Sequence, residues 1–238
     1  MTRWTKGHSR NAAQRSGSPL NMSAIRGNTD FEYDLAIRQN NVRRLQTLKR
    51  HGIPPCEAAV LLALKNKHPG LVPLLVEAGA NVDWKSPYPY RATALGFAVG
   101  YCEDAVVKML LEVGADPNLD GIAMRPLVSA ATDGKLLVTR YLLQHGADAN
   151  GQNPDTGLTA LIQAVTYDYT EITELLLDAG ADPHHRGPLK FSALEVAEKE
   201  GKAELASLLR ASGRTKSKSV STSPRRRKSR LPRKQDAV

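Results

Sequence analysis

The stretch Y-L-L-Q-H-G-A-D-A-N, Tyr141 to Asn150, has three further near copies: L-L-V-E-A-G-A-N-V-D at 74–83, M-L-L-E-V-G-A-D-P-N at 109–118 and L-L-L-D-A-G-A-D-P-H at 175–184. Each reads as the apolar end of a helix, a glycine stop and a tight turn. Glycine suits the stop because the residue just past a helix end commonly turns left-handed, where a Cβ clashes. The intervals from Gly79 to Gly114, Gly146 and Gly180 are 35, 32 and 34 residues. A period of that length marks stacked repeats, each burying its apolar face against its neighbours.

A second motif begins 21 residues before each of these glycines: A-A-V-L-L-A at 58–63, T-A-L-G-F-A at 93–98, R-P-L-V-S-A at 125–130 and T-A-L-I-Q-A at 159–164. The same offset finds two degenerate copies, F-E-Y-D-L-A at 31–36 with Gly52 and S-A-L-E-V-A at 192–197 with Gly213. The motif resembles the T-P-L-H-x-A opening of the ankyrin repeat, and the G-A-D block resembles the helix end of that family. The resemblance implies an all-α fold, an ankyrin-repeat α-solenoid of about six helix-turn-helix repeats near 31–52, 58–79, 93–114, 125–146, 159–180 and 192–213. It also implies short β-hairpin fingers, one continuous apolar seam, and a groove along the fingers and inner helices that takes a protein partner. The histidine of the family motif is absent, with Gly96, Val128, Ile162 and Glu195 in its place. Those histidines tie neighbouring repeats, so a looser array is expected.

The net charge of +9 is uneven. Residues 31–212 carry 18 Lys+Arg against 22 Asp+Glu, residues 1–30 carry five against one, and residues 213–238 carry ten against one. The repeats are therefore mildly acidic and the basicity sits in the ends. Residues 1–30 lack an apolar period, so a disordered N-terminal tail is expected. They are Arg-rich and acid-poor like a mitochondrial presequence, but Pro19 and the scattered apolar residues make no amphipathic helix. Residues 214–238 are Ser/Lys/Arg-rich and read as a basic disordered tail. Within it Arg225, Arg226, Arg227 and Lys228 resemble a nuclear-localisation signal, and Ser223-Pro224 resembles a proline-directed phosphosite. Such a run implies an import receptor or nucleic acid as a further partner, and a nuclear or cytoplasmic location.

Local signals sharpen the picture. Leu35, then Val42, Leu45 and Leu48, are spaced as the core of the first repeat. The inner helix of the second repeat is apolar nearly all round, as a helix with neighbours on both sides should be. Pro73 in its second helix is expected to remove a bond or tilt the axis. Thr93 and Thr159 are placed to cap helices, Pro126 to start one, and Gly134 and Gly201 to turn between paired helices.

Aromatic residues nominate the partner surface. Trp84, Lys85, Tyr88 and Tyr90 crowd one long finger, stiffened by Pro87 and Pro89. Tyr101 and Tyr167 share one offset at the end of their inner helices, and Tyr169 follows. Rings with a polar tip bury much area at low entropy cost, which makes them interface anchors. The alternative is that the finger rings cover a neighbouring loop and the tyrosines are scattered surface residues.

Catalytic and metal signals are weak. His184-His185 lacks a third ligand at metal spacing, and Cys56 and Cys102 stand in different repeats. The sequence contains no phosphate loop, nucleophile elbow or H-E-x-x-H motif. No cofactor and no enzyme activity are expected. No apolar run approaches the roughly 18 residues of a membrane span, and a monomer is expected.

Overall fold

The computed structural model describes residues 22–87, 91–120, 124–186 and 191–217, with side chains described between 29 and 212. The chain divides into two compact parts, residues 1–81 and 82–238. Among the described residues the secondary structure is helical, apart from one isolated antiparallel bridge between Gln152 and Thr159.

The first part holds α1 (Met22–Arg38), α2 (Val42–Arg50), α3 (Ala59–Lys65), a 3-10 turn (Pro69–Leu71) and α4 (Val72–Glu77). α1 starts at Met22, so residues 22–30, assigned from sequence to a disordered tail, begin the first helix instead. The expected core also shifts. Leu35 and Val42 are exposed, while Tyr33, Ala36, Ile37, Leu45 and Leu48 are buried. Tyr33 is large enough to fill the space, and its hydroxyl donates to the Ile53 carbonyl at 2.8 Å, which satisfies its polar end. α3 is buried nearly all round, as its composition indicated. Pro73 does not kink a helix, because the 3-10 turn ends at Leu71 and Pro73 stands in the first turn of α4, where no N–H is needed. Three basic side chains of the first repeat are paired: Arg38 with Asp34, Arg44 with Glu32 and Lys49 with Glu77, the last two at 2.6 Å.

The second part holds four helix pairs: α5 (Ala94–Tyr101) with α6 (Asp104–Glu112), α7 (Pro126–Thr132) with α8 (Leu136–Gln144), α9 (Ala160–Thr166) with α10 (Thr170–Asp178), and α11 (Ala193–Lys199) with α12 (Ala203–Ser217). Inner helices pack in the row α5, α7, α9, α11, and outer helices in the row α6, α8, α10, α12. The leucine four residues before each motif glycine is the fixed point of the core: Leu75 in the first part, and Leu110, Leu142, Leu176 and Leu209 in the second, are fully buried. At Gly79, Gly114, Gly146 and Gly180 its carbonyl accepts the N–H of the alanine after the glycine, as from Ala115 to Leu110 at 3.0 Å and from Ala181 to Leu176 at 2.9 Å. This is the two-bond helix ending that needs a left-handed residue, and Gly114 and Gly180 supply it at φ +97° and +98°. Gly213 does not stop a helix: α12 runs through it to Ser217, so residues 214–217 are helical.

The caps agree with the sequence. Thr93 Oγ1 accepts from Gly96 N at 3.0 Å, Thr159 Oγ1 accepts from Ile162 N at 3.2 Å, and Pro126 opens α7. Ser192 and Glu195 add a reciprocal capping box at α11.

The expected β-hairpin fingers are turns rather than strands among the described residues. Side chains take the hydrogen bonds that a ladder would have used. Asp116, Asp148 and Asp182 each accept, through Oδ1, the N–H two residues on, at 2.8, 3.0 and 2.9 Å. A second series ties each repeat to the next: Asp116 N donates to Asp83 Oδ1 at 2.9 Å, Asp148 N to Asn118 Oδ1 at 2.8 Å, and Asp182 N to Asn150 Oδ1 at 2.8 Å. Asn118 and Asn150 also donate forward to the carbonyls of Gly146 and Gly180, at 3.0 and 3.2 Å. This ladder supplies hydrogen bonds between successive repeats.

Lysines do similar work on the inner helices. Lys135 Nζ donates to the Val99 carbonyl at the end of α5. Lys202 Nζ donates to the carbonyls of Val165 and Thr166 at the end of α9, both at 2.6 Å. Each reaches back to an earlier repeat and places a cation at the negative end of a helix.

Candidate functional site

The inner helices of the second part carry a hollow of about 260 Å³, lined by Gly96, Gly100, Tyr101, Met124, Pro126, Ser129 and Asp133. α5 contributes a floor without side chains at Gly96 and Gly100, and α7 contributes Pro126 and Ser129. Tyr101 closes α5, lies 71% exposed, and is braced by Phe97 with ring centroids 5.1 Å apart. Gly100 has nothing within 4 Å of where a Cβ would stand and no positive φ. Neither backbone strain nor close packing therefore requires glycine there, although glycine inside a helix costs about 1 kcal/mol relative to alanine. Its local effect is to keep the floor low.

Tyr167 is 51% exposed and caps the end of α9, its ring 6.2 Å from that of Tyr169. Tyr169 is half-buried against Gly134. Between Tyr101 and Tyr167, at the same offset in the intervening repeat, stands Asp133. The rings along the inner helices form two pairs, Phe97–Tyr101 and Tyr167–Tyr169.

Trp84 is half-buried rather than projecting. Lys85 is committed within the chain, with Nζ 3.8 Å from Asp120 Oδ2, whose Oδ1 stands 3.5 Å from Arg125 Nε. Those last two atoms are shut from solvent and too far apart for a well-formed hydrogen bond. Arg125 runs over Gly151, where a Cβ would meet its Nη1 at 2.8 Å. Tyr88, Tyr90, Ser223 and Arg225 to Lys228 lie outside the described residues.

Phe97, Ser129, Met124 and Asp133 were missed from sequence. Aligning the repeats by offset and looking for small residues on the inner helices would have found the floor, but not the wall that Met124 makes from a loop.

The cysteines are half-buried free thiols. Burial, then Asp30 and Asp34, push Cys56 up to about 11, and burial raises Cys102. Among the described residues no group of three or more His, Cys, Asp or Glu is placed to hold a metal ion, and no helix is long and apolar enough to cross a membrane.

Residues 119–187, the heart of the helix-pair array, match a family model of three ankyrin repeats. The chain is an ankyrin-repeat protein. Among its relatives is the ankyrin repeat protein YahD of Escherichia coli (strain K12), 26% identical over 204 residues, which cover 78% of this chain and 98% of YahD. An ankyrin repeat-containing protein of Treponema pallidum is 32% identical over 171 residues, 70% of this chain and 56% of that protein. The ankyrin repeat and SAM domain-containing protein 6 of Danio rerio is 33% identical over 144 residues, but only 18% of its length is spanned. Ankyrin repeats are protein-interaction modules, and this ankyrin-repeat protein presents the hollow on its inner helices.

Proposed function

We propose that this protein is a non-catalytic scaffold or adaptor that binds a segment of another protein along the inner helices of residues 82–238, anchored at the hollow between α5 and α7. The observation that carries this reading is the pairing of a 71% exposed, Phe97-braced Tyr101 with a glycine floor. A ring held in place before binding loses little entropy when covered, and a hollow beside it admits a partner side chain. Trp84, Tyr167 and Tyr169 flank the path. The test is to select peptides from a displayed library on the full chain, then titrate them against wild type, Tyr101→Ala, Gly100→Arg and the control Gly100→Ala. Tyr101→Ala and Gly100→Arg should each weaken binding by about tenfold or more. Selected peptides that bind all four proteins equally would sink the reading.

The location we favour is nuclear, through recognition of Arg225 to Lys228 by an import receptor. The composition of residues 213–238 supports this, with ten basic residues against one acid. A phosphate on Ser223 adds about −1.5 to −2 charges beside that run and would tune it. A fluorescent fusion in which alanines at 225–228 leave the distribution unchanged would remove the nuclear reading. The alternative is nucleic-acid binding through the same residues, for which affinity should fall with salt at a slope of about −0.9 per phosphate contacted. A chain ending at Ser217 that binds DNA as well as the full chain does would exclude it.

A further inference from the structure

The hollow between α5 and α7 combines an apolar wall with a carboxylate. Its floor is the bare turn of α5 between two glycines, Met124 and the Tyr101 ring add apolar surface, and no basic side chain lines it. On α7, Pro126, Ser129 and Asp133 are spaced three and four residues apart, so they share one face that ends in the Asp133 carboxylate. Asp133 directly follows the last residue of α7, where the helix carbonyls add negative potential. Its one ion-pair neighbour among the described residues is Lys135, at 3.9 Å, which is beyond hydrogen-bond range. That ammonium is seated on the Val99 carbonyl instead. At about 260 Å³ the hollow falls just below the range of about 300–1,000 Å³ typical of small-molecule sites, a scale that suits one side chain.

The surrounding charge has the same sign. The four turns that join inner to outer helices in the second part, residues 102–104, 133–135, 167–169 and 200–202, hold five acids and two lysines. Both lysines donate to backbone carbonyls, Lys135 at the end of α5 and Lys202 at the end of α9, and Lys202 also pairs with Glu200 at 2.9 Å. Lys199, one residue before the last of these turns, is held over the Phe191 ring at 5.5 Å. Glu103 and Asp168, on the turns either side of Asp133, are exposed and form no ion pair with a described residue. Anionic charge is thus in excess along the row that contains the hollow.

Resting on the reading that a partner segment lies along these inner helices, we propose that the hollow is the specificity pocket for one long basic side chain, lysine or arginine, of that segment. Its methylene stem lies on the glycine floor against Met124 and Pro126, and its charged head meets the Tyr101 ring, the Ser129 hydroxyl and the Asp133 carboxylate. Lysine and arginine bury their stems on apolar surface while the head stays at a wet rim, and a cation beside a tyrosine ring gains further attraction. A neutral apolar side chain would fill the floor but give Asp133 no partner, and an acidic one would meet like charge.

The probes are peptides selected from a displayed library on the full chain. Binders that depend on Tyr101 should share one lysine or arginine, and exchanging that residue for methionine should weaken binding about tenfold. Asp133→Asn, checked for unchanged far-UV circular dichroism, should weaken the basic peptide about tenfold and the methionine peptide less than about twofold, because the pair acts as a unit. The difference should narrow as salt rises to about 0.5 M. Peptides that need Tyr101 but share no basic residue would overturn the pocket and leave the inner-face reading standing. So would an Asp133→Asn loss that is equal for the basic and methionine peptides. Peptides indifferent to both Tyr101→Ala and Gly100→Arg, or a library that yields no binder, would remove the inner-face reading and the pocket with it.

Discussion

The ring of Tyr169 lies over Gly134 so closely that a Cβ there would stand 2.7 Å from Tyr169 Cζ and 3.0 Å from its hydroxyl oxygen. Gly134 is at φ +68° in the turn between α7 and α8, so this glycine answers both a backbone need and a neighbour from the next repeat. Gly134→Ala should cost about 1–2 kcal/mol from the left-handed backbone alone. Displacing the ring adds to that, and a double-mutant cycle with Tyr169→Ala in urea unfolding should show a coupling of about 0.5 kcal/mol or more. A coupling indistinguishable from zero would mean that the ring swings aside freely.

Lys67 adopts the same conformation, φ +61°, at the equivalent offset of the second repeat, where Asn40, Asp168 and Gly201 also turn left-handed. The side-chain amide of the preceding residue, Asn66, bonds the Leu62 carbonyl at 2.8 Å, but the lysine side chain does nothing to favour a left-handed backbone. Lys67→Gly should stabilise the chain by about 0.5–1 kcal/mol in thermal or urea melts. A loss of stability would contradict the strain.

The Asn150 side chain both accepts from Asp182 N and donates to the Gly180 carbonyl. Asn150→Ala leaves both backbone groups without that partner and should cost about 1–2 kcal/mol. Hydrogen exchange at Asp182 should quicken while exchange at Ala115 holds. Asn150→Asp keeps the acceptor alone and should fall between the two.

Lys202 puts its ammonium on two carbonyls at the end of α9. Lys202→Met keeps most of the apolar stem and removes the cap, so a loss of about 1.5 kcal/mol is expected. Arginine at 202 should restore part of it. A methionine variant as stable as wild type would show that water serves the carbonyls equally well.

Glu195 closes the capping box of α11. The Ser192 N–H, then the Ser192 hydroxyl and Arg186, hold its carboxyl below the ordinary value of 4.5. A depressed carboxylate adds stability that is present above the unfolded value and is lost as pH falls through the folded one. An NMR titration should find Glu195 below that ordinary value, and Ser192→Ala should move it upward. No movement would detach the shift from the cap.

The repeat register, the glycine stops, the threonine caps and the buried inner helix of residues 59–65 were legible because they depend on neighbours a few residues away. The first repeat was misread at Leu35 and Val42 because helical spacing cannot choose between two faces of a short helix; Tyr33, with a hydroxyl that reaches Ile53, settled it. Gly213 was read as a stop by analogy with its counterparts, but α12 passes through it. In the candidate site, Tyr101 and Tyr167 could be picked out by offset, whereas Phe97 as a brace and Met124 as a wall could not.

The sequence by itself determined the period, the type of secondary structure and the ends of most helices, since each follows from local backbone sterics and the spacing of apolar residues. Tertiary structure alone decided which polar groups meet: the Asn118 and Asn150 ladder, the lysines seated on earlier helices, Tyr169 over Gly134, and the hollow shared by Tyr101 and Asp133. Those contacts join residues about thirty positions apart, and only the packing of one helix pair on the next fixes their distance.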